Sequence, residues 1–144
     1  MQVALSVLPH LDLAYVQYRG RFAVCDLPRV AEALNRVAEY SDVGATLDDM
    51  SLVTDMDVGF ADMNNVARLT SARLSQERRS LRSAIWAPTD LGFGLARMYQ
   101  TASSMRDNLE VEVSSDLATC LDWLGLKAGS LEELLRGVRV TLLS

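Results

Sequence analysis

The sequence predicts an α/β domain built on a mixed sheet of five strands with four helices. Short runs with strand patterns alternate with amphipathic helical runs along the 144 residues. Only a Pro-His turn separates the first two strands, so they are expected to form an antiparallel hairpin. Helices join the later strands. Such connections make neighbouring strands parallel, and the crossovers are expected to be right-handed.

Apolar alternation predicts the first strand over 3–7, and residues rich in β-branched and aromatic side chains predict the second over 11–18. Helix one begins at Asp26, a typical cap, and Pro28 follows in the first turn, where its missing N–H costs little. Its apolar stripe runs to Ala38. A third strand is predicted over 45–50.

The second half continues the alternation. We predict a long helix (58–76), a strand (81–87), a helix (90–105), a half-exposed edge strand (109–113) and a closing helix that ends before Gly125. Residues 1–125 therefore form the domain. The tail, 126–144, mixes helical spacing with strand alternation, so we expect either a helix or a short strand, docked on a second subunit or closing the chain's own core.

Composition narrows the classes of partner. The net charge of −5 disfavours a nucleic acid or an anionic membrane. Hydrophobic residues make up 49% of the chain, which suggests a covered surface, most simply in a homodimer. No basic leader or membrane-spanning run of about 18 apolar residues occurs, so we expect a cytoplasmic protein without membrane insertion.

Little in the sequence indicates catalysis or a cofactor. His10, the only histidine, lies in the predicted hairpin turn, without a nucleophile beside it in the sequence. Cys25 and Cys120 are far apart in the sequence and are interpreted as reduced packing residues. We therefore expect a protein that is not an enzyme and has no cofactor.

Three segments carry a resemblance to a known family. They are a strand that ends Leu-Asp-Asp-Met-Ser (47–51), an Ala-Ile-Trp-Ala-Pro run that leads into Phe-Gly-Leu-Ala-Arg-Met-Tyr (84–99), and Ala118 followed by Leu-Asp-Trp-Leu (121–124). In this order they resemble the SpoIIAA-like proteins, which are related to the STAS fold and often labelled SEC14-like. The resemblance implies a mixed sheet with helices mainly on one side, and protein–protein recognition. The serine phosphorylated in the sigma-antagonist branch has no match in 52–59, where Asp stands instead, so we expect no such switch.

Two segments are candidate ligand- or partner-binding sites. One lies past the third strand, and the other opens the helix after Pro88, where two glycines permit close approach. The candidate residues are Ser51, Thr54, Asp55, Asp57, Gly92, Phe93 and Gly94. A cluster of carboxylates that could hold Mg²⁺ consists of Asp48, Asp49, Asp55 and Asp57. Because Asp is also a preferred cap for the helix that follows, we predict no metal. For the glycines the alternative is tight packing of helix on sheet.

The leading functional hypothesis is a non-enzymatic, STAS-like protein-interaction module whose 54–57 loop is the recognition edge. It would dimerise through apolar helix faces and the tail. The alternative is a carrier or sensor for a small apolar or lipid-like ligand, which needs a continuous apolar cavity of at least ~300 Å³. Methionines on helix faces (Met63, Met98, Met105) would suit such a cavity if they lined it together.

Overall fold

A six-stranded mixed sheet organises the chain in the computed structural model, which describes residues 1–143. The strands are β1 (Gln2–Leu8), β2 (Leu13–Ala23), β3 (Ala45–Asp57), β4 (Leu81–Trp86), β5 (Leu109–Ser114) and β6 (Thr141–Leu143). The helices are α1 (Asp26–Asn35), α2 (Ala38–Ser41), α3 (Phe60–Gln76), α4 (Asp90–Ser103), α5 (Leu117–Trp123) and α6 (Leu131–Leu135). The spatial order is β5-β4-β3-β2-β1-β6.

The α/β class and the mixed sheet are confirmed. β1 and β2 pair antiparallel across a single 3-10 turn, Pro9–Leu11, which holds the exposed His10. β2, β3, β4 and β5 then pair parallel, each with the next, as their helical connections require. The predicted totals of five strands and four helices are too low for residues 1–143, because α2, α6 and β6 are additional elements.

The tail forms both structures that its pattern left open. α6 packs its leucines against the sheet, and β6 pairs antiparallel with β1, placing Leu142 opposite Ala4. Without β6, the outer N–H and C=O groups of β1 would form an unpaired sheet edge. The tail therefore covers an edge of its own sheet.

Two strands are longer than the sequence pattern predicts. β2 continues to Ala23 and β3 to Asp57, and the two extensions pair with each other, Arg21 opposite Asp55 and Ala23 opposite Asp57. The predicted 54–57 loop is therefore wrong, because these residues are strand. Their polar character reflects the exposure of the extension to solvent.

Helices cover both faces of the sheet. The α1 face carries α1, α2, α3 and α4, and side chains at alternate positions of β3, such as Met50, point towards it. The α5 face carries α5 and α6, which pack against Leu47 of β3 and Ala84 of β4. Successive side chains of one strand therefore enter different layers of the protein.

Candidate functional site

A cavity of about 140 Å³ lies between the sheet and the helices of the α1 face. Most of its lining is apolar. Examples from the strands and helices are Phe22, Val30, Met50, Met63, Ile85 and Leu95. A few polar side chains converge on the same space. Apolar walls with a small number of polar groups are typical of sites for small organic ligands.

The alternation of β3 places a carboxylate in the cavity wall. Thr46, Asp48 and Met50 share one side of the strand and line the cavity, whereas Leu47 and Asp49 lie on the other side. β3 lies inside the sheet, between β2 and β4, with helices on both faces, so the polar residues of its first half are buried with it. Asp48 is half-buried, in contact with the cavity.

Two side chains donate hydrogen bonds to the Asp48 carboxylate. The Tyr18 hydroxyl lies 3.1 Å from Oδ1, and the Thr46 hydroxyl lies 2.7 Å from Oδ2. Thr46 Oγ1 is also 2.9 Å from Ser83 Oγ. Because a hydroxyl carries one proton, the arrangement that satisfies all three groups has Ser83 donating to Thr46 and Thr46 donating to Asp48.

The environment of Asp48 favours its neutral form. Burial raises the pKa of Asp48 to about 6, and the nearby charge of Asp49 adds to the rise, while the hydrogen bonds from Thr46 and Tyr18 oppose it. The carboxyl therefore changes its charge within the physiological range. Perturbed carboxyls in clefts are candidates for functional groups.

Three tyrosines from different elements line the cavity beside Asp48. They are Tyr18 of β2, Tyr40 of α2 and Tyr99 of α4. Burial raises the pKa of Tyr99 to about 12, and the charge of Asp48 adds to the rise. Burial and Asp48 likewise raise the pKa values of Tyr18 and Tyr40. All three phenols therefore stay protonated at neutral pH and can donate hydrogen bonds.

A surface groove adjoins the cavity. It has a volume of about 200 Å³ and lies between α1 and α3, which pack closely with other elements but hardly touch each other. Six residues line both the cavity and the groove: Leu27, Ala31, Asn35, Val66, Thr70 and Arg73. The shared lining places the groove directly beside the cavity. Arg73 lies there with its Nη1 3.4 Å from Glu77 Oε1.

Asp49 is enclosed on the α5 face. Its side chain is 1% exposed and accepts hydrogen bonds from the Tyr15 hydroxyl, from Gln17 Nε2 at 3.1 Å and from Ser51 N at 2.8 Å. These donors occupy three of its about four acceptor positions from within the protein, against two for Asp48. Asp49 is therefore a structural carboxylate, in contrast to its neighbour Asp48.

The structure distributes the predicted acidic cluster over three places. Asp55 and Asp57 lie on the exposed extension of β3, where Arg21 contacts them at 2.6 Å and 3.3 Å. They therefore do not share a site with Asp48, and they do not cap α3, whose N-cap residue is Gly59. Within residues 1–143, no group of three or more His, Cys, Asp or Glu side chains is arranged to hold a metal ion.

The other predicted site residues lie outside the cavity lining. Thr54 is exposed, and Ser51 is half-buried and bonded through its N–H to Asp49. Gly92 is buried, and a Cβ there would come within 3.3 Å of Met50, which favours the packing interpretation of this glycine. Phe93 packs against the core, and Gly94 is exposed with open space around it.

Some methionines and cysteines lie in the cavity wall or the core, and others are exposed. Met50 and Met63 line the cavity, whereas Met98 does not, and Met105 is 74% exposed beyond the end of α4. Cys120 is buried, and burial raises the pKa of its thiol to about 11. Cys25 is exposed, so its interpretation as a packing residue is wrong.

Sequence reasoning missed the tyrosines and Arg73 and assigned Asp48 to a cap or metal cluster. One signal was present. Thr46 and Asp48 are polar residues at alternate positions of a strand predicted to lie inside the sheet, and such residues are buried only with partners or for function. Their tyrosine neighbours come from positions 18, 40 and 99, which the local pattern does not bring together.

Comparison with known proteins assigns no family to the chain. No protein-family model matches the chain, and no curated protein is significantly similar to it. Among the helices of residues 1–143, none has the length and apolar character needed to cross a membrane.

Proposed function

We propose that this protein is a non-catalytic carrier or sensor that binds a small, largely apolar organic ligand in the cavity of the α1 face. The observation that carries the proposal is the placement of Asp48 and three tyrosines in the wall of an apolar cavity that adjoins a surface groove. Apolar walls supply affinity, and a few polar groups orient the ligand.

The volume limits the size of the ligand. An apolar cavity of about 150 Å³ is large enough for benzene. The cavity here, about 140 Å³, is similar in size. It is smaller than the ~300 Å³ that the sequence-based hypothesis required of a carrier, so that requirement is not met and a lipid-like ligand does not fit the cavity alone. We therefore propose a single ring or a short branched chain, with any longer part in the groove, rather than a whole lipid.

The test uses benzyl alcohol as a neutral single-ring probe. Titration of isotope-labelled protein, followed by NMR, is expected to shift methyl signals of cavity residues such as Met63, Ile85 and Leu95, with saturation. Methyl groups of the α5 face, such as those of Leu121, stay unshifted. Uniform small shifts without saturation would contradict a cavity site.

A matched pair of variants locates the site. Ala31→Phe places a ring where the cavity meets the groove, whereas Ala72→Phe makes the same change on the exposed side of α3. We expect the first variant to lose binding of benzyl alcohol and the second to retain it. Equal binding by both variants would place the probe elsewhere.

The interaction-module hypothesis, the homodimer and the resemblance to SpoIIAA-like proteins stay predictions. The edge proposed for recognition is an ion-paired strand extension in which Arg21 holds Asp55 and Asp57. The cavity gives the carrier hypothesis a defined site, and we therefore place it first.

A further inference from the structure

Asp48 has the same number of acceptor sites as any carboxylate but fewer donors than Asp49. A carboxylate offers about four lone-pair positions, and the protein fills one on each oxygen of Asp48, from Tyr18 and Thr46. Asp48 also borders open space in the cavity. A ligand that donates hydrogen bonds can therefore complete its coordination.

Resting on the function proposed above, we propose that the cavity selects small organic cations, an ammonium group on an apolar body, with Asp48 as counter-ion and Tyr18, Tyr40 and Tyr99 as its aromatic surround. A buried carboxylate is stabilised by an opposite charge with hydrogen bonds. Aromatic rings attract ammonium groups through the negative potential of their faces.

The charges around Asp48 support this choice. On β2, α2 and α4 the titratable groups that face it are phenols, which stay neutral. On α3 the facing group is Arg73, which lines both the cavity and the groove. Its Nη1 lies 3.4 Å from Glu77 Oε1, and Arg79 contacts the same carboxylate at 2.9 Å. Asp49 follows in the chain but belongs to the α5 face. Within residues 1–143, Asp48 forms no ion pair, so its carboxylate has no cationic partner there.

The proposal also fixes a sign for the pH dependence. Because burial raises the pKa of Asp48 to about 6, the fraction of charged carboxylate grows between pH 5 and pH 7. An ammonium ligand is charged throughout this range and should bind more tightly as the pH rises. A carboxylic acid ligand should show the opposite trend.

Three probes of one shape separate this proposal from the function on which it rests. They are benzylamine, benzyl alcohol and benzoate, measured at pH 7 by calorimetry and NMR on the full chain. We expect benzylamine to bind about tenfold or more tightly than benzyl alcohol, and benzoate to bind weakest. Saturable binding of benzyl alcohol with no preference for benzylamine would overturn the cation proposal and leave the cavity function intact. No saturable binding of any probe would overturn both.

The variant Asp48→Asn tests the role of the carboxylate. It keeps the shape but has one acceptor oxygen, so only one of the Tyr18 and Thr46 hydroxyls keeps its bond to residue 48. The readout is therefore the ratio of the two affinities within the variant, and the preference for benzylamine over benzyl alcohol should fall from about tenfold to about one. The parent's gain in benzylamine affinity from pH 5 to pH 7 should also disappear. If the variant still prefers benzylamine and still binds it more tightly at pH 7 than at pH 5, another group selects the cation and the proposal is overturned. If the variant folds poorly, the pH dependence of benzylamine binding by the parent protein decides instead.

Discussion

Asp48 and Asp49 are consecutive in one strand, yet they belong to different kinds of protein interior. Asp49, on the α5 face, receives donors from Tyr15, Gln17 and Ser51 and is sealed from solvent. Asp48, on the α1 face, has two donors and borders a cavity. The first arrangement stabilises the fold, and the second leaves capacity for a ligand. The comparison shows that charge and burial alone do not identify a site, whereas unfilled hydrogen-bonding capacity beside open space does.

The largest expected effect comes from removing the sealed carboxylate. Asp49→Ala leaves the buried Tyr15 hydroxyl without its acceptor and removes one of the two acceptors of the Gln17 amide, and we expect a loss of about 3 kcal/mol in the free energy of unfolding. Urea unfolding followed by circular dichroism measures it. The control is Asp48→Ala at pH 7, which we expect not to destabilise the protein, because the ionised carboxylate is itself unfavourable in the cavity wall at this pH and the cavity leaves room for water at the vacated groups. Equal losses would abolish the distinction between the two faces.

The second effect depends on pH and concerns Asp48 alone. Its pKa is raised to about 6 in the folded protein, so the folded state binds more protons than the unfolded state between about pH 4 and pH 6. Ionisation of Asp48 therefore lowers stability as the pH rises through this range. Asp48→Asn removes the cost and should stabilise the protein by on the order of 2 kcal/mol at pH 8.

The gain should vanish below pH 4, where Asp48 is protonated in both states of the parent protein. Measuring parent and variant at each pH cancels the contributions of the other carboxyls. A stability difference that does not change with pH would contradict the placement of Asp48 in a desolvated wall.

The smallest expected change in stability concerns the packing of α4 against β3. Gly94→Ala adds a methyl group to open space in a helix and should stabilise the protein by about 0.5–1 kcal/mol. Gly92→Ala makes the same change where its Cβ would come within 3.3 Å of Met50 Cβ and the Met50 carbonyl oxygen. We expect this variant to be less stable than Gly94→Ala by about 1 kcal/mol. Thermal unfolding compares the two, and equal stabilities would show that α4 can move away from β3.

Local patterns predicted most of the fold. The Pro-His turn between two alternating runs gave the hairpin, and Pro88 followed by Thr89 marked where β4 ends and α4 begins, with Thr89 Oγ1 accepting from Gly92 N. These features depend on residues close in the chain. The extension of β3 to Asp57 was missed because its stabilising partner, the extension of β2, lies more than 30 residues away.

The candidate site was less accessible to sequence reasoning. The Asp-Asp pair was noticed, but the pattern gave no means to assign the two carboxylates to different faces, since a strand buried on both faces shows no polar side. Tyr18, Tyr40 and Tyr99 carry no shared spacing. Their meeting at Asp48 requires β2, α2 and α4 to be packed against the same face of the sheet.

By itself, the sequence determined the alternation of strands and helices, the hairpin, the parallel crossovers and the segments that form the core, because hydrophobic periodicity, prolines and caps act over a few residues. The tertiary structure alone decided that β6 covers β1, that Asp49 is enclosed and that Asp48 faces a cavity beside the groove between α1 and α3. The physical reason is that pairing an edge strand, filling the acceptor sites of a carboxylate and leaving a space between helices all depend on groups that are distant in the chain and meet only when the layers pack.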